Sequence, residues 1–172
     1  LVGLSQRETF TALAGADGPI DGLIAAYQAA VWDFRAKEMH RETLFPGVAD
    51  LIAALAKRAD RRLAIATGKG RRGTDLVIAQ HGWHGIFGSS HTSDDSPSKP
   101  DPTMLHRAMQ IAGVTPQDSV MIGDSPFDMQ MAIRAGVMPI GVAWGHQPPD
   151  RLRQHGAQAV AADFAELAKL LG

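Results

Sequence analysis

The spacing of hydrophobic residues changes along this chain, and the change divides the chain into two parts. In residues 1–44 the apolar positions recur every three or four residues, which predicts amphipathic helices. Ser5 followed by Glu8 is typical of a capping box at the start of a first helix. A second helix is predicted from Pro19 to about His40, with an apolar stripe formed by Ile20, Leu23, Ile24, Tyr27, Val31 and Phe34. We therefore expect a small helical unit over residues 1–44.

From residue 45 to residue 172, short apolar runs alternate with segments of helical spacing. The runs that predict strands are Leu63–Thr67, Ile86–Ser90, Ser119–Gly123, Ile140–Ala143 and Ala159–Val160. The segments that predict helices lie at 48–55, 75–80, 102–112, 128–135 and 164–171. Strands that alternate with helices form a parallel sheet wrapped on both faces, so this part predicts a Rossmann-like α/β domain.

Composition and charge argue against two classes of partner. Hydrophobic residues make up 45% and charged residues 20% of the chain, as in ordinary globular proteins, and no apolar run is long enough to span a membrane. The formal net charge of -1 argues against nucleic acid, whose binding needs an excess of positive charge. We therefore expect a cytoplasmic protein with no membrane segment and no nucleic-acid partner, while the oligomeric state is left open.

The cysteine and histidine content limits the metal chemistry. The chain has no cysteine, which excludes thiolate zinc sites, disulfides and thiol catalysis. Of the seven histidines, His81 and His84 have the spacing of helical metal ligands. They lack an acidic or third imidazole neighbour in sequence, so we interpret them as a surface or loop feature.

Residues with chemical potential follow three of the predicted elements. Thr67 and Gly68 come directly after one strand, and Asp124 and Asp128 follow another, four residues apart. Lys99 lies between flanking prolines in the loop before a helix. Ligands of parallel sheets bind beyond the carboxyl ends of the strands, so these residues are expected at one rim. A hydroxyl, an ammonium and paired carboxylates suit a phosphate monoester with its divalent cation.

These residues resemble three motifs of the haloacid dehalogenase superfamily, in the order found there. They are Thr67 after a hydrophobic strand, Lys99 in Ser-Lys-Pro-Asp-Pro, and the run from Gly123 to Asp128. The following run to Gly145 is similar to phosphoglycolate phosphatase-like members, and residues 1–44 look like part of their small helical cap. The resemblance covers essentially the whole chain and implies a core domain at residues 45–172.

The resemblance also implies a covalent mechanism, in which an aspartate attacks phosphorus and forms an aspartyl phosphate. Thr67 and the Gly68 N–H would bind the phosphoryl oxygens, and Lys99 would bridge phosphate and nucleophile. Asp124 would bind Mg²⁺ directly, and Asp128 would bind it or orient one of its waters. The implied partner is a small phosphorylated metabolite.

The chain departs from the family at its most important motif. No Asp-x-Asp-Gly-Thr sequence is present, and the chain begins at Leu1 without an initiator methionine. We therefore expect a fragment of an Mg²⁺-dependent phosphatase that is inactive alone. The family's central first strand is also missing, and we expect its slot, between Leu63–Thr67 and Ser119–Gly123, to be retained rather than closed by direct pairing.

Two alternative functions stay open from the sequence. Gly68, Gly70 and Gly73 match a dinucleotide fingerprint after a strand, with acids at 94 and 95 about twenty residues further on. That hypothesis leaves Lys99 and the two later aspartates unexplained. The other alternative is a non-catalytic remnant that binds phosphate without a nucleophile.

Overall fold

The computed structural model describes residues 3–36 and 43–172. The helices are α1 Gln6–Ala14, α2 Ile20–Ala36, α3 Val48–Ala56, α4 Arg71–Gln80, α5 Thr103–Ala112, α6 Pro126–Ala135, α7 Pro149–Gln154 and α8 Phe164–Leu171. The strands are β1 Leu63–Ala66, β2 Phe87–His91, β3 Val120–Gly123, β4 Met138–Val142 and β5 Ala159–Ala161. The predicted end of the second helix, near His40, lies outside the described residues.

Helices α1 and α2 form a small unit held mainly by contacts near its surface. The predicted capping box is present, because the Ser5 hydroxyl accepts from the Glu8 N–H and the Glu8 side chain accepts from the Ser5 N–H. The rings of Phe10 and Tyr27 meet edge to face at 5.8 Å. Much of the apolar stripe stays exposed, since Tyr27 and Phe34 keep about half of their surface in solvent (49% and 45%). No helix in the described part of the chain combines the length and apolarity needed to cross a bilayer.

The strands form two parallel sheets. Strands β1 and β2 pair with each other, and β4 lies between β3 and β5 in the second sheet. The predicted α/β architecture is therefore confirmed, because parallel strands alternate with helices along the chain from residue 45 onward.

Two apolar clusters support these sheets. One lies between α5, α6 and β3, includes the fully buried Met104 and Met131, and reaches Ala66 at the end of β1. The other joins Ile140 and Val142 of β4 to Leu167 of α8. Because the first cluster touches both sheets, it places the ends of β1 and β3 over a shared core.

No backbone hydrogen bond joins β1 to β3 in the described ranges, so the expectation that these strands do not pair directly is confirmed. Within these ranges, each of the two strands therefore has one edge without a partner strand. Val120 and Ile122 on β3 are 43% and 37% exposed, although apolar strand residues of this kind normally face a core. The edge and face of β3 next to the gap are thus left without a partner in the described chain.

Three helices differ from the prediction made from the sequence. Helix α4 begins at Arg71 and α6 at Pro126, each earlier than predicted. Helix α7 was missed, because it has six residues and Leu152 is the only one buried. Proline is favoured at the first position of a helix, where no N–H is needed, and both α6 and α7 begin with it.

Candidate active site

Thr67 lies immediately after β1, in a turn fixed by backbone contacts. Its N–H donates to the carbonyl of His91, which ends β2, at 3.0 Å. Its hydroxyl oxygen accepts the Lys69 N–H at 3.1 Å. The hydroxyl proton is still available as a donor, because a hydroxyl can donate once while it accepts.

Lys99 and Asp128 form a buried ion pair. The Lys99 Nζ donates to Asp128 Oδ1 at 2.6 Å, and the two residues are only 6% and 4% exposed. Lysine and aspartate are almost never this buried unless they are paired. The loop lysine is therefore held against the first turn of α6.

The second oxygen of Asp128 caps the start of α6. It accepts from the Ser125 N–H at 3.0 Å, the Ser125 hydroxyl at 2.7 Å and the Asp124 N–H at 3.2 Å. Together with Lys99 this gives four donors for one carboxylate. In this arrangement Asp128 orients the lysine through Oδ1 and the backbone of the loop through Oδ2.

Asp124 presents a different carboxylate, which is partly open to solvent. Its Oδ2 accepts the His146 N–H at 2.9 Å and lies 2.6 Å from the His146 Nδ1. Across residues 3–36 and 43–172 no donor is found for its Oδ1. The side chain is 31% exposed.

The donor set around Asp124 fits Mg²⁺ of the kind that is held by few protein ligands. Mg²⁺ usually keeps several waters and binds through one or two carboxylates together with substrate phosphate. Asp124 supplies one hard oxygen that can face such an ion. No group of three or more acidic or histidine side chains suited to a metal occurs in the described parts of the chain, so an all-protein cage is not formed there.

The segment from Gly3 to Ser5 passes across the loops that carry these residues. The Ser5 N–H donates to the Ser98 hydroxyl at 2.9 Å. A Cβ added to Gly3 would lie 2.8 Å from the Ser125 Oγ, and one added to Gly68 would lie 2.7 Å from the Leu4 carbonyl oxygen. The start of the helical unit thus contacts the Thr67, Lys99 and Asp124 loops at once.

The glycine-rich loop at 68–73 does not present a free phosphate site. Gly70 precedes α4, and the Asp94 carboxylate accepts the Arg71 N–H at 2.7 Å. A dinucleotide pyrophosphate would use this same helix N-terminus. The structure therefore argues against the dinucleotide hypothesis. The Asp94 carboxylate, from the loop at residues 92–98, already occupies the helix N-terminus that the pyrophosphate would need.

The neighbouring Asp95 fixes the same loop. Its carboxylate accepts from the Thr92 N–H at 2.9 Å and the Thr92 hydroxyl at 3.0 Å, and it pairs with the Arg71 guanidinium. Burial alone would raise the pKa of this carboxyl, but the hydrogen bonds from Thr92 and Arg71 outweigh it and lower the pKa to about 2. Asp94 and Asp95, the two acids that follow the glycine fingerprint, therefore both have protein partners.

The structure brings three of the predicted site residues into one connected group. Lys99 contacts Asp128, which accepts from the backbone of Asp124. Thr67 and Gly68 reach this group through residues 3–5 rather than by a direct hydrogen bond. His81 packs its ring against Trp83 at 5.0 Å, and His84 is exposed.

Two residues at this site were missed by sequence reasoning. Ser125 had a signal, because Ser-x-x-Asp before a helix is a capping pattern, and its capping box is present. His146 had none, since it lies in a loop after β4, 22 residues from Asp124, and only the fold brings them together.

Comparison with known sequences finds relatives with phosphate chemistry. Residues 1–142 match the family described as haloacid dehalogenase-like hydrolase. A phosphoglycolate phosphatase of Pseudomonas putida is 35% identical over 139 residues, which are 78% of this chain and 51% of that protein. A probable phosphatase of Dickeya dadantii, IndB, is 30% identical over 96% of this chain and 73% of its own length. A tyrosine-protein kinase of Mycobacterium tuberculosis, PtkA, is 30% identical over all of this chain and 58% of its own length.

The chain spans about half the length of the phosphoglycolate phosphatases that it matches. Among solved structures, a hydrolase from Pseudomonas syringae aligns with a TM-score of 0.81 at 23% identity, covering 99% of this chain and 78% of that one. A haloacid dehalogenase-like hydrolase from Streptococcus pneumoniae gives 0.79 at 23% identity, covering 97% and 76%. At this identity the likeness establishes a shared fold.

Proposed function

Because this chain belongs to the haloacid dehalogenase-like hydrolase family, we propose that it forms the phosphate- and metal-binding part of a phosphate monoester hydrolase. The observation that carries the proposal is the buried Lys99–Asp128 pair next to the open oxygen of Asp124. The substrate class is a small phosphorylated metabolite. Phosphoglycolate is the first compound to test, since several relatives are named as phosphoglycolate phosphatases.

Each site residue has a role in this proposal. The Thr67 hydroxyl and the Gly68 N–H donate to phosphoryl oxygens, and the Lys99 ammonium offsets their negative charge. Asp124 holds Mg²⁺, which when bound neutralises further phosphate charge. Asp128 orients Lys99 through their 2.6 Å contact and would orient a water of the bound metal.

We further propose that residues 1–44 act as part of a cap over this site and that residues 45–172 form the core. The contacts of Gly3, Leu4 and Ser5 with all three site loops support this division. A cap at this position would exclude water from bound phosphate, which strengthens the electrostatic interactions within the site.

The proposal assigns neither the nucleophile nor the general acid to these residues. The sequence contains no Asp-x-Asp-Gly-Thr, and the one buried aspartate of the site has both oxygens engaged by protein donors. The proposal therefore assigns binding and charge stabilisation to this chain, and nucleophilic attack to a segment outside these 172 residues.

Binding of Mg²⁺ and inorganic phosphate, measured by calorimetry on the full chain, tests the proposal. We expect phosphate to bind more tightly with Mg²⁺ present, and Asp124→Asn to remove that enhancement. Asp150→Asn is the matched control, because Asp150 is exposed and, within the described residues, pairs with Arg153 across an i,i+3 helix contact away from Asp124. Equal phosphate binding in Asp124→Asn and in the unchanged chain would refute the metal site.

Turnover assays separate the remaining candidates. We expect no Mg²⁺-dependent hydrolysis of phosphoglycolate or p-nitrophenyl phosphate by the chain alone. Hydrolysis that disappears in Asp124→Asn would show that the nucleophile lies within these residues after all. The match to PtkA, which covers all of this chain and 58% of that protein, makes phosphoryl transfer from a nucleotide the second candidate. ATP-dependent labelling of a tyrosine peptide would support it instead.

A further inference from the structure

The loop after β4 approaches Asp124 more closely than any side chain at its centre would allow. A Cβ added to Gly145 would lie 2.1 Å from the Asp124 Cβ and 2.6 Å from its Oδ2. Real Cβ atoms do not approach backbone-fixed neighbours at such distances, so residue 145 has to be glycine if Asp124 keeps this position. The loop and the carboxylate are therefore fitted to each other.

Two contacts fix the start of this loop. The Ala143 N–H donates to the Ala161 carbonyl at 2.9 Å, which extends the pairing of β4 with β5. The Trp144 ring packs on the Phe164 ring, with centroids 4.3 Å apart. Because its start is fixed to the sheet and to α8, the loop holds His146 next to Asp124.

Two nitrogens of His146 contact the same oxygen of Asp124. Its N–H and its Nδ1 both lie within hydrogen-bond distance of Asp124 Oδ2, at 2.9 and 2.6 Å. An ionised carboxylate can only accept, so the proton of this contact belongs to Nδ1. Two bonds from one residue restrict rotation of the carboxylate, and they leave Oδ1 as the oxygen without a protein donor in the described chain.

We propose that His146 is a positioning residue, which orients the Asp124 carboxylate so that Oδ1 is presented to a divalent cation. This inference rests on the proposed function, because it assumes that Asp124 is the metal ligand. Groups that hydrogen-bond a metal ligand tune metal affinity without contacting the metal, and their loss commonly weakens binding by about tenfold or more. Nothing in the sequence marks His146 for this role, and its side chain is 62% exposed.

Mn²⁺ binding to the full chain, followed by water-proton relaxation, tests the proposal without a turnover assay. We expect His146→Ala to weaken Mn²⁺ binding about tenfold, with the melting temperature nearly unchanged because the side chain is exposed. His146→Asn should restore most of the affinity, since its amide nitrogen can occupy the place of Nδ1. His155→Ala is the control, because the His155 ring is half-buried and its Nδ1 contacts the Arg151 carbonyl, so the variant removes an imidazole that does not contact Asp124.

A second variant probes the loop with the imidazole intact. Gly145→Ala must displace either the loop or Asp124, so it should also weaken Mn²⁺ binding. If Mn²⁺ binds the unchanged chain through Asp124 but His146→Ala binds equally well, His146 does not position the ligand and the proposed function stands. Equal losses in His146→Ala and His146→Asn would likewise reject the hydrogen bond as the cause. If Mn²⁺ binding does not depend on Asp124, the metal site and this inference both fail.

Discussion

Lys99 and Asp128 are both buried, and each charge is stabilised there by the other. Removing two charges from water costs several kcal/mol each, and only good geometry with further hydrogen bonds offsets that cost. The pair meets this condition, because Asp128 also accepts three donors from Ser125 and Asp124. The charge that would attract phosphate is thus held in place by structural contacts.

Replacement of Lys99 by methionine should therefore destabilise the fold strongly. Lys99→Met leaves the Asp128 charge buried without its cation, which typically costs about 3 to 5 kcal/mol. The free energy of unfolding in urea measures this, and the Lys99→Met/Asp128→Asn double variant should recover part of the loss. Arg153→Met, which breaks the exposed pair with Asp150, should change stability little. A similarly small effect of Lys99→Met would mean that the pair is solvated in solution.

The Asp95 carboxyl makes the 92–98 loop sensitive to acid. Its pKa falls from 3.8 to about 2 in the folded protein, so above pH 4 it is ionised in both states and its contacts stabilise the fold. Between pH 4 and pH 2 the unfolded chain binds this proton first, and the stabilisation is lost. We expect the stability difference between the unchanged chain and Asp95→Asn to be constant from pH 7 to 5 and to shrink below pH 4. Urea unfolding at several pH values measures it, and a difference that grows on acidification would contradict the assignment.

Gly123, at the junction of β3 and α6, is required by close packing and not by a turn conformation. A Cβ added to Gly123 would lie 2.3 Å from the Asp128 Cβ, because the first turn of α6 folds back on the end of the strand. Gly22 in α2 offers a contrast, since an added Cβ there would meet nothing within 4 Å. One glycine is required by packing, and the other is only a weak helix former.

Alanine at these two positions should have opposite effects on stability. Gly123→Ala overpacks the junction and should cost about 1 to 3 kcal/mol, together with weaker phosphate binding. Gly22→Ala should be stabilising by up to about 1 kcal/mol, because alanine is the better helix former. Thermal unfolding followed by circular dichroism gives both changes. A neutral Gly123→Ala would show that α6 can shift without disturbing the site.

The two sheets leave the middle of the domain incompletely paired. Strand β4 has a partner on each side, whereas β1 and β3 are each paired on one side only in the described residues. Open strand edges attract further strands, because their N–H and C=O groups are unsatisfied. The apolar side chains of Val120 and Ile122, which share one face of β3, are also left exposed. Both features favour the retained slot predicted from the sequence.

Hydrogen exchange should reveal the slot in the isolated chain. Amides of β4 should be the most protected, while alternate amides of β1 and β3, which face the slot, should exchange much faster. A strand supplied at this position should protect those amides selectively. Uniform protection along β3 without any added strand would mean that its edge is already covered, and the slot would be excluded.

Local patterns determined much of the fold and the choice of the candidate site residues. The capping box at Ser5, the apolar run of β1 and the alternation of strands with helices all depend on neighbours within a few residues. Thr67, Lys99 and Asp124 could be named because they follow strands or precede a helix, and parallel strands bring such positions to one rim. The sequence could not indicate that Asp128 has both oxygens occupied.

Contacts between distant residues decided the features that the patterns could not. Asp94 occupies the helix N-terminus that the glycine fingerprint suggested for a dinucleotide, although it lies 23 residues from Arg71. His146 reaches Asp124 across 22 residues because β4 runs parallel to β3 and ends at the same rim. Helix or strand propensity depends on the residue and its neighbours, whereas these hydrogen bonds exist only once packing has fixed which strand ends adjoin.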